Sequence, residues 1–286
     1  MQTLFDEVEN RLLSPKLWRG FAPPVGNMFP NTPSGSEVRG LFDDFDAFGA
    51  TCPLSTSTTF FQSNGNTYIG FNDLAVIPTA AVVPTTVPSV NENGPGVIAL
   101  QADASTAEDI AILQAGSGAT MPFHVIPARN QDLAFECRFK VSSVTGSQSN
   151  IFIGLAGTGA CADNGVFTDA GALASNNFLG FTRLGTQGNT MSLSYQRASG
   201  TAAARANVVT LAADTYIKAG FRYYAARRQC SVFVNGEEVV AARMGSAIVG
   251  ATPWPSLYMN FCAAAQYETG ANHILSIDWW ACAQVL

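Results

Sequence analysis

The sequence predicts an all-β fold, a jelly-roll type antiparallel β-sandwich, and three observations predict it. The first is the run at 230–240, Cys-Ser-Val-Phe-Val-Asn-Gly-Glu-Glu-Val-Val. Its Asn235-Gly236 pair supplies the two positive-φ residues of a two-residue type I′ turn, which sets Val234 opposite Glu237 and Val232 opposite Val239. The second is the alternation of Leu133, Phe135, Cys137, Phe139 and Val141 with Glu136, Arg138 and Lys140, the period of a half-buried strand. The third is the regular recurrence of short strand candidates at 97–103, 133–141, 151–155, 178–184, 191–195 and 217–225. Gly/Ser/Asn turns such as 145–150 and 185–189 divide them, and no strand–helix–strand alternation intervenes.

The chain opens with an arm, residues 1–36. Leu4, Phe5, Val8 and Leu12 share one helical face, with Thr3 as the cap and Ser14-Pro15 as the stop. Leu17-Trp18-Arg19-Gly20-Phe21 and a proline-rich extended run follow. Burying each large apolar side chain of the arm returns at most about 1.5 to 3 kcal/mol. Fixing each backbone unit costs about 1 to 2 kcal/mol, and the arm has many more backbones than anchors. It therefore needs a surface to lie on.

Residues 37–286 are read as the sandwich. The stretch 41–48, aromatic residues among carboxylates, is its expected opening strand. Residues 74–95, rich in Pro, Thr, Val and Ala, suit an edge or linker segment because proline cannot donate to a central ladder. Leu275-Ser-Ile-Asp-Trp-Trp280 is the expected closing strand. This order, with a strand–Asn-Gly–strand hairpin, a long connection and a terminal Ile-Asp strand, resembles the concanavalin-like or laminin-G-like sandwich family from Gly96 onward. The resemblance implies architecture and leaves function open, since that sandwich carries sugar binders, glycan-cleaving enzymes and structural modules alike.

Composition narrows the function classes. Only 13% of the residues are charged, against about 25% in ordinary globular chains. A surface so short of solvating charge is read as lying against other protein in a multi-subunit assembly. The net charge of -6, with lysine only at Lys16, Lys140 and Lys218 and no basic stripe, argues against a nucleic-acid partner. No apolar run reaches the ~20 residues of a membrane span, and Met1-Gln-Thr-Leu-Phe-Asp-Glu lacks the pattern of an export signal. The expectation is a protein made in a host cytoplasm, with no membrane partner. Cys52, Cys137, Cys161, Cys230, Cys262 and Cys282 form no Cys-x-x-Cys and are read as free, buried thiols.

A search for chemistry returns little. His124 and His273 are far apart in sequence, and each is read as a structural side chain. Sandwich glycosidases need two carboxylates about 5 to 9.5 Å apart. The Glu-x-Asp-x-x-Glu strand of laminarinase-like sandwiches is missing, Glu237 and Glu238 point to opposite faces, and Glu108-Asp109 falls in a loop. Among Asp43, Asp44 and Asp46, the last two share a face and are read as solvated or paired with Arg39. Tyr216-Ile-Lys-Ala-Gly220 resembles a strand of sandwich polysaccharide lyases, but the Arg-rich and Gln-x-His strands that accompany it there have no match. Lys218, Arg222 and Tyr224 are left as ordinary polar-face residues, with a cationic patch for an anionic partner as the alternative. The glycine string at 157–162 lacks the helix that would hold a phosphate. Asp163, Asn164 and Asp169 are read as metal-free Asx turns. No catalytic residue, cofactor or metal is expected.

An arm joined to a sandwich, with low charge and no catalytic constellation, is similar in layout to the cement or decoration proteins of tailed bacteriophages. The resemblance implies a non-enzymatic homo-oligomer, dimer or trimer, on the exterior of a virion, bound to the major capsid protein. Leu4, Phe5, Val8, Leu12, Trp18 and Phe21 would then anchor the arm on capsid or on a sister subunit. The rival expectation is a glycan-binding, lectin-like module of a phage tail, with Trp254, Tyr258, Trp279 and Trp280 as candidate platforms. A glycan hydrolase or lyase comes third.

Overall fold

Strands with one apolar face need a second apolar surface to close on, and two antiparallel sheets packed face to face supply it. The computed structural model describes residues 13–21, 37–43, 74–78, 97–101, 110–115, 122–145, 149–160, 165–168, 170–251, 253–267 and 273–286. Through them run β1 (Val38–Asp43), β2 (Leu74–Pro78), β3 (Ile98–Gln101), β4 (Ile110–Ala115), β5 (Leu133–Val141), β6 (Ser149–Ala156) and β7 (Phe178–Arg183). They continue as β8 (Thr190–Gln196), β9 (Ala203–Thr210), β10 (Ile217–Tyr224), β11 (Gln229–Val234), β12 (Glu237–Glu238), β13 (Asn260–Tyr267) and β14 (Ile274–Val285). The first sheet runs β1-β14-β5-β10-β11-β12, with β3 also paired to β14; the second runs β2-β4-β13-β6-β7-β8-β9.

The core lies between them. Phe261 of the second sheet stacks on Trp280 of the first at 4.4 Å between ring centroids, and Phe135 stacks on Phe221 at 5.0 Å. The expected alternation holds along β5, whose Phe135, Cys137 and Phe139 are fully buried in the core. The hairpin is also as expected: Asn235 and Gly236 have φ of 49° and 86°, and Val234 faces Glu237.

One irregularity shapes the outer surface. The β5–β14 register shifts between Ile277 and Trp279, so an extra residue, Asp278, sits in a bulge. Strict alternation would turn Trp279 inward with Ile277. The bulge turns Trp280 into the core instead and leaves Trp279 on the outer face. Other boundaries move. The opening strand begins at Val38 and is described to Asp43, and the proline-rich segment contributes β2 at the edge of the second sheet. Strands β4, β9 and β13 had no counterpart in the sequence reading.

Cys137, Cys230, Cys262 and Cys282 are buried free thiols, and burial pushes the Cys137, Cys230 and Cys282 thiols above their usual range. Cys52 and Cys161 lie outside the described residues. Thiol titration should therefore find these four unreactive in the native protein and six reactive groups after denaturation without reductant. A denatured count below six would show a disulfide.

Candidate functional site

The outer face of the first sheet concentrates the chain's buried charge. Ala134, Glu136, Arg138 and Lys140 of β5 point away from the core, as do Lys218, Gly220, Arg222 and Tyr224 of β10. In register, Glu136 lies between Gly220 on one side and Ala281 of β14 on the other. These neighbours are small, and Ala134, Ala283, Phe233 and Trp279 continue an apolar floor around them.

Residues 13–21 sit on this floor. Ser14 O accepts from the Leu17 and Trp18 amides at 3.0 and 3.1 Å, and Phe21 N donates to Trp18 O at 2.9 Å. These bonds wind the segment into two tight turns, and Pro15, whose missing N–H forfeits nothing there, fits the first. Leu13, Leu17, Trp18 and Phe21 are all buried against the sheet. A β-carbon on Gly220 would come within 2.4 Å of Leu17 Cδ1 and 2.5 Å of Phe135 O, so only glycine lets the segment approach this closely.

The polar seal is Glu136, 1% exposed. Its Oε2 accepts from Ser14 N at 2.9 Å and from Trp18 Nε1 at 2.7 Å, and Oε1 accepts from the Ser14 hydroxyl. Burial pushes its carboxyl above the usual carboxylate range, while these hydrogen bonds and the nearby Lys218 charge pull it back. Arg222 fastens the other end by donating from Nη1 to Leu17 O at 3.0 Å and to Arg19 O at 2.5 Å. Its guanidinium also lies 5.4 Å from the Phe21 ring centroid. Lys16 pairs with Glu237 beyond the hairpin turn.

Beside the segment, Arg138 pairs with Asp278 and stands 3.9 Å from the Tyr216 ring centroid, with Lys140 Nζ at 5.1 Å from the same ring. Three carboxylates described on this face are thus engaged, Glu136 by the segment, Asp278 by Arg138 and Glu238 by Arg243.

The two histidines are kept apart. His124 bonds to Gln284 near the end of β14, while His273 precedes its start. Ten residues of extended strand separate those points, about 30 Å. His273 Nδ1 is 3.1 Å from Ser149 Oγ, and the buried Arg183 donates to that oxygen at 3.3 Å and to Thr145 O at 2.7 Å. The cluster ties strand ends together. Burial, then the Arg183 charge, holds this imidazole below its usual range.

Of the sequence-selected residues, Trp18 and Phe21 lie on the chain's own sheet, while Leu4, Phe5, Val8 and Leu12 lie outside the described residues, as do Asp44, Asp46, Glu108, Asp109, Asp163, Asn164 and Asp169. Arg39 donates to Pro122 O at 3.3 Å. Trp254, Trp279 and Trp280 are buried; Tyr258 alone of those four platforms is exposed, at 37%. Glu136 and Gly220 were missed as a site. The available signal was a glycine inside a strand, opposite the only acidic position on the outer face of β5.

No protein-family model matches the sequence, and no curated protein does. Among solved structures, an endo-1,3-β-glucanase from Streptomyces sioyaensis is similar with a TM-score of 0.52 at 11% identity, covering 90% of this chain and 99% of that one. A protein of unknown function from Shewanella oneidensis MR-1 is similar with a TM-score of 0.51 at 13% identity, covering 90% of each chain. At such identities the likeness shows the fold, a concanavalin-like antiparallel sandwich, and carries no activity across.

Substitutions at Glu136 test the seal. Glu136→Gln can keep all three contacts, its carbonyl accepting from Ser14 N and Trp18 Nε1 and its amide donating to Ser14 Oγ. Glu136→Leu removes the acceptor of three buried donors, at about 1 to 3 kcal/mol each, and Trp18→Ala should cost about 3 to 5 kcal/mol. Because the folded-state pKa of Glu136 is raised, the stability it contributes is complete below its unfolded value and declines as pH rises through the folded value. Thermal melts from about pH 4 to about pH 8 should therefore show wild type losing ground to Glu136→Gln as pH rises. Parallel curves, or a Trp18→Ala variant as stable as wild type, would remove the seal from the fold's energetics.

Proposed function

We propose that this protein is a non-catalytic structural subunit of a virion, a decoration protein that docks on the outside of a capsid lattice. One observation carries the non-catalytic part: the chain closes the centre of its own outer sheet face with residues 13–21, and Glu136 is consumed in doing so. A face sealed by Trp18, Leu17 and Phe21 has no open cleft over its middle. The low charge content, 13%, supports a surface largely covered by other protein. In this reading Trp18 and Phe21 root the arm on the sandwich, and Leu4, Phe5, Val8 and Leu12 are its anchors on a capsid or sister subunit.

Exposed Tyr258 favours a second reading, a glycan-binding module. It shares with the first the absence of turnover.

Particles purified from the organism that carries the gene, labelled with antibody against the recombinant protein, test the first reading. Labelling of capsids is the expected result; absence of the protein from particles sinks it. The recombinant protein, incubated with a broad glycan panel, should give neither new reducing ends nor unsaturated products. Turnover abolished by Asp44→Asn or Asp46→Asn would make it an enzyme.

A further inference from the structure

One end of the sandwich gathers arginines. There β5 and β11 begin and β10 and β14 finish, and hydrogen bonds fix the loops to one another. Val285 N donates to Asp132 O at 2.9 Å, and Ala225 N to Asp132 Oδ1 at 2.8 Å, which joins the 129–132 loop to the 225–228 turn. Phe123 and Met259 exchange backbone bonds at 3.1 and 2.7 Å, and Trp254 Nε1 donates to Val125 O at 2.8 Å, bringing in the loop before β13.

On this frame Arg39, Arg129, Arg227 and Arg228 are exposed, and none of them forms an ion pair among the described residues. Among the described residues the nearby acids are Asp132, which already bonds Ala225 and lies 3.9 Å from Arg222, Glu37, and the terminal carboxylate at Leu286. Two of the guanidinium groups lie over phenol rings: Arg129 is 5.7 Å from the Tyr258 centroid and Arg227 is 5.8 Å from that of Tyr224. Contact with a ring holds the guanidinium plane and leaves its N–H edge for a planar, bidentate acceptor such as carboxylate.

Tyr258 is braced from beneath. His124 Nδ1 accepts from Ile126 N at 3.3 Å, so the ring proton sits on Nε2 and is donated to Gln131 Oε1 at 2.6 Å. This neutral ring meets Tyr258 edge-on at 5.0 Å. Tyr258 and Leu257 remain 37% and 55% exposed, an apolar step beside Arg129.

We propose that this end binds a carboxylate-bearing polysaccharide. Arg129 and Arg227 receive carboxylates, and Tyr258 with Leu257 carries the apolar face of a sugar ring. The proposal rests on the glycan-binding reading and adds its ligand class and residues. Two neighbouring Arg–Tyr pairs suit a polymer that repeats its carboxylate. The chain's net charge of -6 repels polyanions at a distance, so binding depends on these short contacts rather than on a general positive field.

Calorimetric titration of the full chain with uronate hexasaccharides (galacturonate, mannuronate and glucuronate), their methyl esters, and poly-glutamate of equal charge tests this. At least one hexauronate should bind at one site per chain, with affinity falling tenfold or more on methyl esterification and in Arg129→Ala or Arg227→Ala. Lys16→Ala, whose ammonium pairs with Glu237 beside the hairpin turn at the opposite end of β11, should bind as wild type. Each variant's melting temperature checks that it is folded. Equal binding of free and esterified sugars by wild type and both variants would overturn the carboxylate site and leave the glycan reading standing. Preference for poly-glutamate would show a surface for an acidic protein and overturn the proposal. No saccharide binding would overturn both.

Discussion

A sheet covered on both faces leaves any charge upon it without water, and Glu136 is such a charge at the centre of the first sheet. Its inner neighbours Phe135 and Cys137 belong to the core, and its own side chain points to a face roofed by Leu17 and Trp18. An ionised carboxylate there is tolerable only with its oxygens satisfied. Ser14 and Trp18 provide three donors, so the position of the N-terminal segment and the protonation of Glu136 are coupled. Displacing the segment would expose Trp279, Phe233 and the alanines around them along with the carboxylate. This single acceptor therefore governs whether the outer face is closed.

The closure depends on chain geometry as much as on charge. Gly220 lets Leu17 down onto β10, and the bulge at Asp278 turns Trp279 outward to widen the apolar floor. That same bulge places Asp278 against Arg138, so one irregularity supplies a wall of the seal and the partner of a neighbouring cation. Arg222, on the strand that carries Gly220, spends two donors on backbone carbonyls of the segment. It thus stays beside Tyr224, 4.7 Å from that ring's centroid, with its Nη1 turned to the segment.

What was legible in the sequence is what local patterning encodes. The β5 alternation and the Asn235-Gly236 hairpin were readable because one strand or one turn suffices to specify them. The Ala263-Ala264-Ala265 run of β13 was not, since small side chains on both faces show no period, and its neighbours β4 and β6 decide its pairing. The place of Trp18 was hidden for a related reason. Arithmetic on the arm shows that it needs a surface, but which surface is set by a glycine and a glutamate more than a hundred residues away.

The distribution of cations separates two kinds of surface. Lysines and arginines on the outer sheet face are occupied by structural partners, as Arg138 is with Asp278 and Arg222 with the segment's carbonyls. Arginines at the loop end, Arg129 and Arg227, are exposed and lie over tyrosine rings at 5.7 and 5.8 Å from the ring centroids instead. A ring below a guanidinium attracts it without neutralising it, whereas an ion pair neutralises it. A position held in place but left charged keeps most of its interaction energy for something outside the chain. The middle of the sheet is covered by the chain's own residues 13–21, and the exposed arginines sit instead on the loops that the sandwich holds at its end.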